Sequence, residues 1–227
     1  MALGTVTFDR MPLVGGDIDG EFRAVYDLWG GRYEHGGADL SVTNGPTLRA
    51  HVVNPDAFPE RAKVYAINPD NGGDYGNHVI LDHQGTGEWS MYAHLDGFAP
   101  GLKVGQILAP GQLIGYAGET GKTTGPHLHW EVVTNRDAPT FGAIRSAPDA
   151  SGVSRLVEGI TLRNPRDFMV AAEPVSSLAD LWAAHNSLNR VVGEDRLASQ
   201  AADKALDSRL QPIERAIAAF FKEIPKG

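Results

Sequence analysis

The chain holds eight histidines and no cysteine. Any metal must therefore sit on imidazole and carboxylate groups, and disulfides, Cys-ligated zinc, iron–sulfur ligation and thiol catalysis are excluded. His127-Leu128-His129 lies in a run from Thr124 to Val133 that is entered through Gly125-Pro126. In a strand, alternate residues share a face, so His127, His129 and Glu131 point together while Leu128 and Trp130 point away. Two imidazoles on one face are awkward in a core and suit a metal site with an acid/base neighbour. A second cluster, His35-Gly36-Gly37-Ala38-Asp39, sets a histidine and a carboxylate four apart around glycines that permit a tight turn. A third, Met91-Tyr92-Ala93-His94-Leu95, places Tyr92 and His94 on one face of another short strand. His35, Asp39 and one of the paired histidines make three N/O ligands, the set that catalytic zinc takes with its fourth position left to water. The two remaining histidines are then free for proton transfer. No His-Glu-x-x-His helix occurs, and Gly115 to Thr123 is no phosphate loop, because Tyr116 stands where that motif needs glycine.

The elements that must carry these residues read as strands. Before Pro174, glycine and proline are dense and the apolar runs are short, as in Asn77 to His83 and Trp130 to Val133. After it come Ala, Leu and mixed charge, with Leu178, Leu181, Trp182, His185 and Leu188 forming a helical stripe. The expected organisation is a mainly β domain over 1–173 and a helical tail over 174–227, which anchors, oligomerises or packs back. The 24 residues from Arg136 to Gly159 read as a long loop, either a solvated excursion or a substrate-contacting flap.

Charge narrows the partners. The net charge is −8, and the tail is neutral at seven acidic against seven basic residues, so the deficit belongs to the first 173. Such a chain is a poor phosphate neutraliser, and nucleic acid is not an expected partner. No run of about 18 apolar residues occurs, so no membrane span is expected. The first ten residues carry no basic stretch followed by an apolar one, and no secretory signal is expected.

In order, His35 to Asp39, Gly76-Asn77 through His83, Tyr92 to Leu95, Gly111 to Gly118 and Thr124 to Glu131 together resemble the lysostaphin-like, or LytM-type, zinc endopeptidases. Asn164-Pro165 with Phe168 is similar to the segment that closes that domain, and the resemblance covers about residues 12–170. It implies an antiparallel β-sheet domain with a loop-lined groove, Zn²⁺ on His35, Asp39 and His129, and His94 and His127 flanking the reacting peptide. It also implies cleavage of peptide bonds in bacterial peptidoglycan. Glu131 is then a candidate to hold an outer histidine N–H. Tyr33 and Tyr92 are candidates to donate to substrate, Asn77 to pin a turn or touch substrate, and His83 to belong to the outer shell. His51, His78 and His185 read as structural. The segment Trp29 to Glu34 is short, so the wall it builds is expected to be reduced.

Three readings of function follow. The first is an active zinc endopeptidase on peptidoglycan. Without an export signal, such an enzyme is expected to reach the wall as a phage lysin released through a holin-type pore, or as a virion-associated hydrolase. The others are a silent LytM-like domain that binds or activates another wall enzyme, and a virion structural protein whose tail self-associates. All five ligand and proton-transfer positions are filled, which favours the enzyme.

Overall fold

The Leu128–Thr134 strand is the axis of the fold. Six of its seven residues are buried, because both of its faces are covered, and neighbouring side chains serve different purposes on the two sides. Leu128, Trp130 and Val132 enter the main core with Leu40, Val64, Val79, Leu81, Tyr92 and Ile114. On the other side Val133 packs with Trp89, Leu156 and Leu162. His129 and Glu131 share the second face with Val133, so the site and this smaller cluster lie on one side of the sheet.

The computed structural model describes residues 5–58, 62–134, 141, 147–157 and 162–170. These lie within the first of two units, Met1–Ala171. The expected tail helices and their contacts, and His185, fall outside the described residues.

The main sheet is antiparallel throughout. Its order is Ile107–Leu108, Ala62–Asn68, His78–His83, Glu88–Ala93, Leu128–Thr134, Ala38–Val42 and Gly16–Gly20, with Leu162–Arg163 also paired to Leu128–Thr134. His78–His83 alternates between half-buried and buried positions along its whole length, the period-2 pattern that its sequence shows. A three-stranded sheet, Leu95–Phe98, Leu113–Ala117 and His51–Val53, continues the fold.

The described residues include one short helix, the 3-10 turn Pro165–Phe168. Asn164 caps it by accepting from the Arg166 N–H at 3.1 Å, and proline occupies its first turn. Phe168 is buried beside Phe8, ring centres 6.1 Å apart. This is the closing segment expected from Asn164-Pro165.

Two features shape the groove. The short segment before His35 builds its wall as sheet: Val25–Leu28 and Gly31–Glu34 form a hairpin, and Val153–Ser154 adds a third strand parallel to Gly31–Glu34. Within the long loop, Val153–Ser154 is therefore held as sheet. Buried Glu34 fixes it further, accepting from the Leu156 N–H at 2.9 Å and from Arg155 Nη1 at 3.0 Å.

Candidate metal centre and its cleft

Sheet register brings the donors together. His129 stands directly across from Asp39 and, on its other side, from Ala93. Directly opposed side chains in an antiparallel pair lie about 5 Å apart at Cβ, so His129 Nδ1 reaches Asp39 Oδ1 at 2.7 Å. His35 enters from the turn before the Ala38–Val42 strand. Its Nε2 lies 3.2 Å from the same oxygen and 3.1 Å from His129 Nδ1. One donor atom from each of His35, Asp39 and His129 lies within 4.8 Å of the others, a group that could hold a metal ion.

Two glycines beside these residues, Gly37 and Gly20, are a requirement of space. A Cβ on Gly37 would lie 2.6 Å from the Trp130 carbonyl oxygen and 2.9 Å from His129 Cε1. On Gly20, across from Asp39, it would lie 2.7 Å from Asp39 Cβ.

His94 and His127 stand against this cluster. Their rings are 4.8 Å apart, His94 is 5.7 Å from the His129 ring, and His127 Nε2 is 3.5 Å from Asp39 Oδ1. His94 sits between the Glu88–Ala93 and Leu95–Phe98 strands with φ of 59°. For a residue with a Cβ this left-handed conformation costs about 1–3 kcal/mol and is typical of functional sites. Its N–H donates to the Tyr75 carbonyl at 2.9 Å, which holds the bend.

The tautomers follow from what the outer nitrogens touch. His35 Nδ1 faces the Glu21 carbonyl at 3.1 Å, His94 Nδ1 the Thr120 carbonyl at 2.8 Å, and His127 Nδ1 the Gly125 carbonyl at 2.8 Å. His129 Nε2 faces Glu131 Oε1 at 3.0 Å. Carbonyl and carboxylate oxygens only accept, so each outer nitrogen must carry the proton. All four rings therefore turn the opposite nitrogen, a lone-pair donor in the neutral form, toward one space.

Lone pairs from His35 and His129 and a carboxylate cannot face one another at 2.7–3.2 Å without a cation among them. Where only a proton is available, His129 takes it. Burial works against the charge, but hydrogen bonds and charge from Asp39 and Glu131 outweigh burial and push its pKa up to about 10. Asp39 is also opposed by burial, yet His129 and His35 hold it far below the usual carboxylate range. Burial, together with the charges of His129 and His127, brings His94 down to about 3 and keeps it neutral.

The remaining candidates separate. Glu131 is buried and acts through His129, and Tyr75, which no motif singled out, donates to Glu131 Oε1 at 2.7 Å. Tyr33 lines the cleft and stacks on Trp29. Asn77 pins a turn, accepting from the Asp70 N–H and donating to the Leu95 carbonyl.

Tyr92 and His83 are corrections. Tyr92 does not share a face with His94, because the left-handed bend at His94 breaks the alternation; it is fully buried in the core and accepts from Ser90 Oγ at 2.9 Å. His83 lies in that core too, 2.8 Å from Ser90 Oγ and 2.8 Å from Asp56 Oδ1, the latter contact off the hydrogen-bond line. Neither reaches substrate space. Tyr26 is a further residue that the sequence did not flag. Its ring meets His35 edge-on at 5.0 Å, and burial with the Asp39 charge raises its pKa.

These side chains open onto a cleft of about 1080 Å³ whose lining includes Trp29, Tyr33, Asp74, Lys122 and Ser154. Residues 34–140, which hold all five of these histidine and aspartate positions, match the model of Peptidase family M23. Over these residues the chain is similar to an M23 peptidase domain. Over 100 residues it is 36% identical to the peptidoglycan DD-endopeptidase ShyA of Vibrio cholerae, a match covering 43% of this chain and 22% of that protein. Over 110 residues it is 33% identical to the L-Ala–D-Glu endopeptidase of Bacillus subtilis, covering 45% and 30%. Among solved structures it is similar to the catalytic domain of lysostaphin from Staphylococcus simulans, at 27% identity and a TM-score of 0.42, over 54% of this chain and 80% of that one. The M23 match thus spans about a fifth to a third of the curated relatives' length.

Proposed function

We propose that this chain is a zinc-dependent endopeptidase that cuts peptide cross-links of bacterial peptidoglycan. The observation that carries this reading is the set of four imidazoles, each with its outer nitrogen committed to an acceptor, three of which bring the other nitrogen within 3.5 Å of Asp39 Oδ1. Three N/O donors with an adjoining open cleft are what a catalytic zinc site needs, whereas a structural site is closed by a fourth protein ligand. The names of the relatives, peptidoglycan DD-endopeptidase and L-Ala–D-Glu endopeptidase, both denote endopeptidases and name different bonds.

His35 Nε2, Asp39 Oδ1 and His129 Nδ1 would hold the ion. When bound, zinc polarises a carbonyl and brings the pKa of water toward about 7. His94 and His127 work through Nε2, because Nδ1 of each is spent on a carbonyl. They share the tasks of accepting a proton from the attacking water, steadying the oxyanion and returning a proton to the leaving amine. Glu131, held by Tyr75, orients His129 and strengthens it as a ligand. For delivery we carry forward a phage lysin or virion-associated hydrolase acting at the cell wall, a reading tested by probing purified virions and holin-dependent lysis.

The test of the activity is release of soluble fragments from purified peptidoglycan with zinc, with chelator, and with His129→Ala. Release that needs both zinc and His129 is the expected result, and mass analysis of the new termini names the bond. Zinc binding with no release from walls of any chemotype overturns hydrolysis and turns attention to a partner enzyme or a virion scaffold.

A further inference from the structure

Lys122 is placed by the same loop that fixes the two proton-transfer histidines. Thr120 supplies the carbonyl that holds His94, and Gly125 supplies the one that holds His127. Between them, the Lys122 N–H donates to the Asp74 carbonyl at 2.8 Å. Gly121 packs so closely on Gly76 that a Cβ there would lie 2.3 Å from the Gly76 nitrogen. The backbone of Lys122 is therefore rigid, although its side chain is exposed.

That side chain meets the opposite wall. Its Nζ lies 4.6 Å from the centre of the Trp29 ring, at the tip of the hairpin that leads to His35. Trp29 is 52% exposed, far from the usual state of so large an apolar side chain. It stacks on Tyr33 at 5.9 Å and 6°, Tyr33 meets Tyr26, and Tyr26 meets His35. An aromatic ladder thus runs from the cleft rim to the ligand cluster, with one ammonium over its outer end.

No carboxylate lies within ion-pair distance of that ammonium among the described residues. The cleft's other flexible cation, Arg32, is already engaged, donating to the Ser151 carbonyl at 2.8 Å and lying 3.8 Å from Asp27. Asp19 and Asp74 also line the cleft and repel anions. Lysine has three N–H donors, and a ring face occupies at most one of them.

Resting on the peptidase reading above, we propose that Lys122, steered by Trp29, is the carboxylate receptor of the cleft. It selects peptides that carry a free carboxylate near the scissile bond over neutral chains such as oligoglycine. Trp29 and Tyr33 provide the apolar face against which the rest of the peptide lies, and Asp19 and Asp74 reject registers that bring the carboxylate elsewhere.

The test uses the full chain and two probes, the stem peptide L-Ala-γ-D-Glu-diaminopimelate-D-Ala and the same peptide with its carboxylates amidated. Binding is measured by calorimetry on metal-free and zinc-loaded protein, with cleavage of peptidoglycan followed in parallel. Wild type is expected to bind the acidic peptide at least about tenfold more tightly, about 1.4 kcal/mol, with a preference that shrinks as salt rises. Lys122→Met keeps the apolar stem on Trp29 and is expected to remove the preference while leaving the amidated peptide unaffected. Lys122→Arg restores it. Equal binding of both probes by wild type, equal weakening of both by Lys122→Met, or binding of neither overturns the proposal. Cleavage of peptidoglycan in any of those cases leaves the peptidase reading standing, and selective binding without cleavage removes that reading while the carboxylate site survives.

Discussion

Gly37→Ala is the sharpest perturbation available, because it adds one methyl group and touches no ligand's chemistry. The new Cβ would lie 2.6 Å from the Trp130 carbonyl oxygen, 2.8 Å from Glu131 Cγ and 2.9 Å from His129 Cε1. All three are shorter than the 3.0 Å that real Cβ atoms keep, and the first is backbone of the central strand. The turn must therefore back away by at least 0.4 Å, carrying His35 and Asp39 with it. Functional constellations tolerate about 0.5 Å of displacement, and overpacking a filled site costs about 1–3 kcal/mol. The expected result is zinc affinity lowered about tenfold or more, with melting lowered by roughly 3–10 °C for a domain of this size. Gly31→Ala is the control: in the hairpin that precedes this turn, its Cβ meets nothing within 4 Å, and affinity and melting should match wild type. Zinc affinity comes from competition with a chromophoric chelator, and stability from thermal melts with chelator present. If Gly37→Ala binds zinc as wild type does and melts unchanged, the close fit of this turn against the central strand is not what sets the ligand geometry.

The metal-free protein should lose stability on the alkaline side. His129 lies above its ordinary 6.5 at about 10, so its contribution is complete below about pH 6.5 and is lost as pH rises through about 10. Asp39 is displaced downward, so its contribution is complete above its ordinary 3.8 and is lost as pH falls below that value. Melts in chelator from about pH 5 to 10.5 should show an alkaline decline that His129→Gln removes. Zinc loading at about pH 8 should displace roughly one proton per ion, read in a weakly buffered indicator solution. Tyr75→Phe strips one donor from Glu131 and should weaken zinc binding about tenfold by the same chelator competition. Glu34→Gln loosens the grip on the Leu156 N–H and on Arg155. It should cost about 2 kcal/mol in melts and speed proteolysis within residues 147–157.

What the sequence made legible is the inner ring of the site, and the reason is periodicity. His129 and Glu131 follow the two-residue repeat of a strand, which sends Leu128, Trp130 and Val132 to one core cluster and Val133 to the other, while His127 stands one residue before the strand. The Gly-Gly turn from His35 to Asp39 is likewise local, so spacing alone places both ends. The misassignment of Tyr92 arose where a local rule fails. His94 adopts a left-handed backbone, an ordinary histidine gives no warning of it, and Tyr92 turns into the core as a result. The outer ring was illegible for a different reason. Tyr75 reaches Glu131 across 56 residues of chain and Thr120 reaches His94 across 26, separations that only the folded sheet closes. Three of the four anchors that fix the imidazole tautomers are backbone carbonyls, which every residue type carries and no motif can record. Yet these anchors decide whether a histidine offers a lone pair or an N–H to the cleft. A motif can therefore name the candidate donors of such a site, while the protonation pattern that would let them bind a metal belongs to the fold.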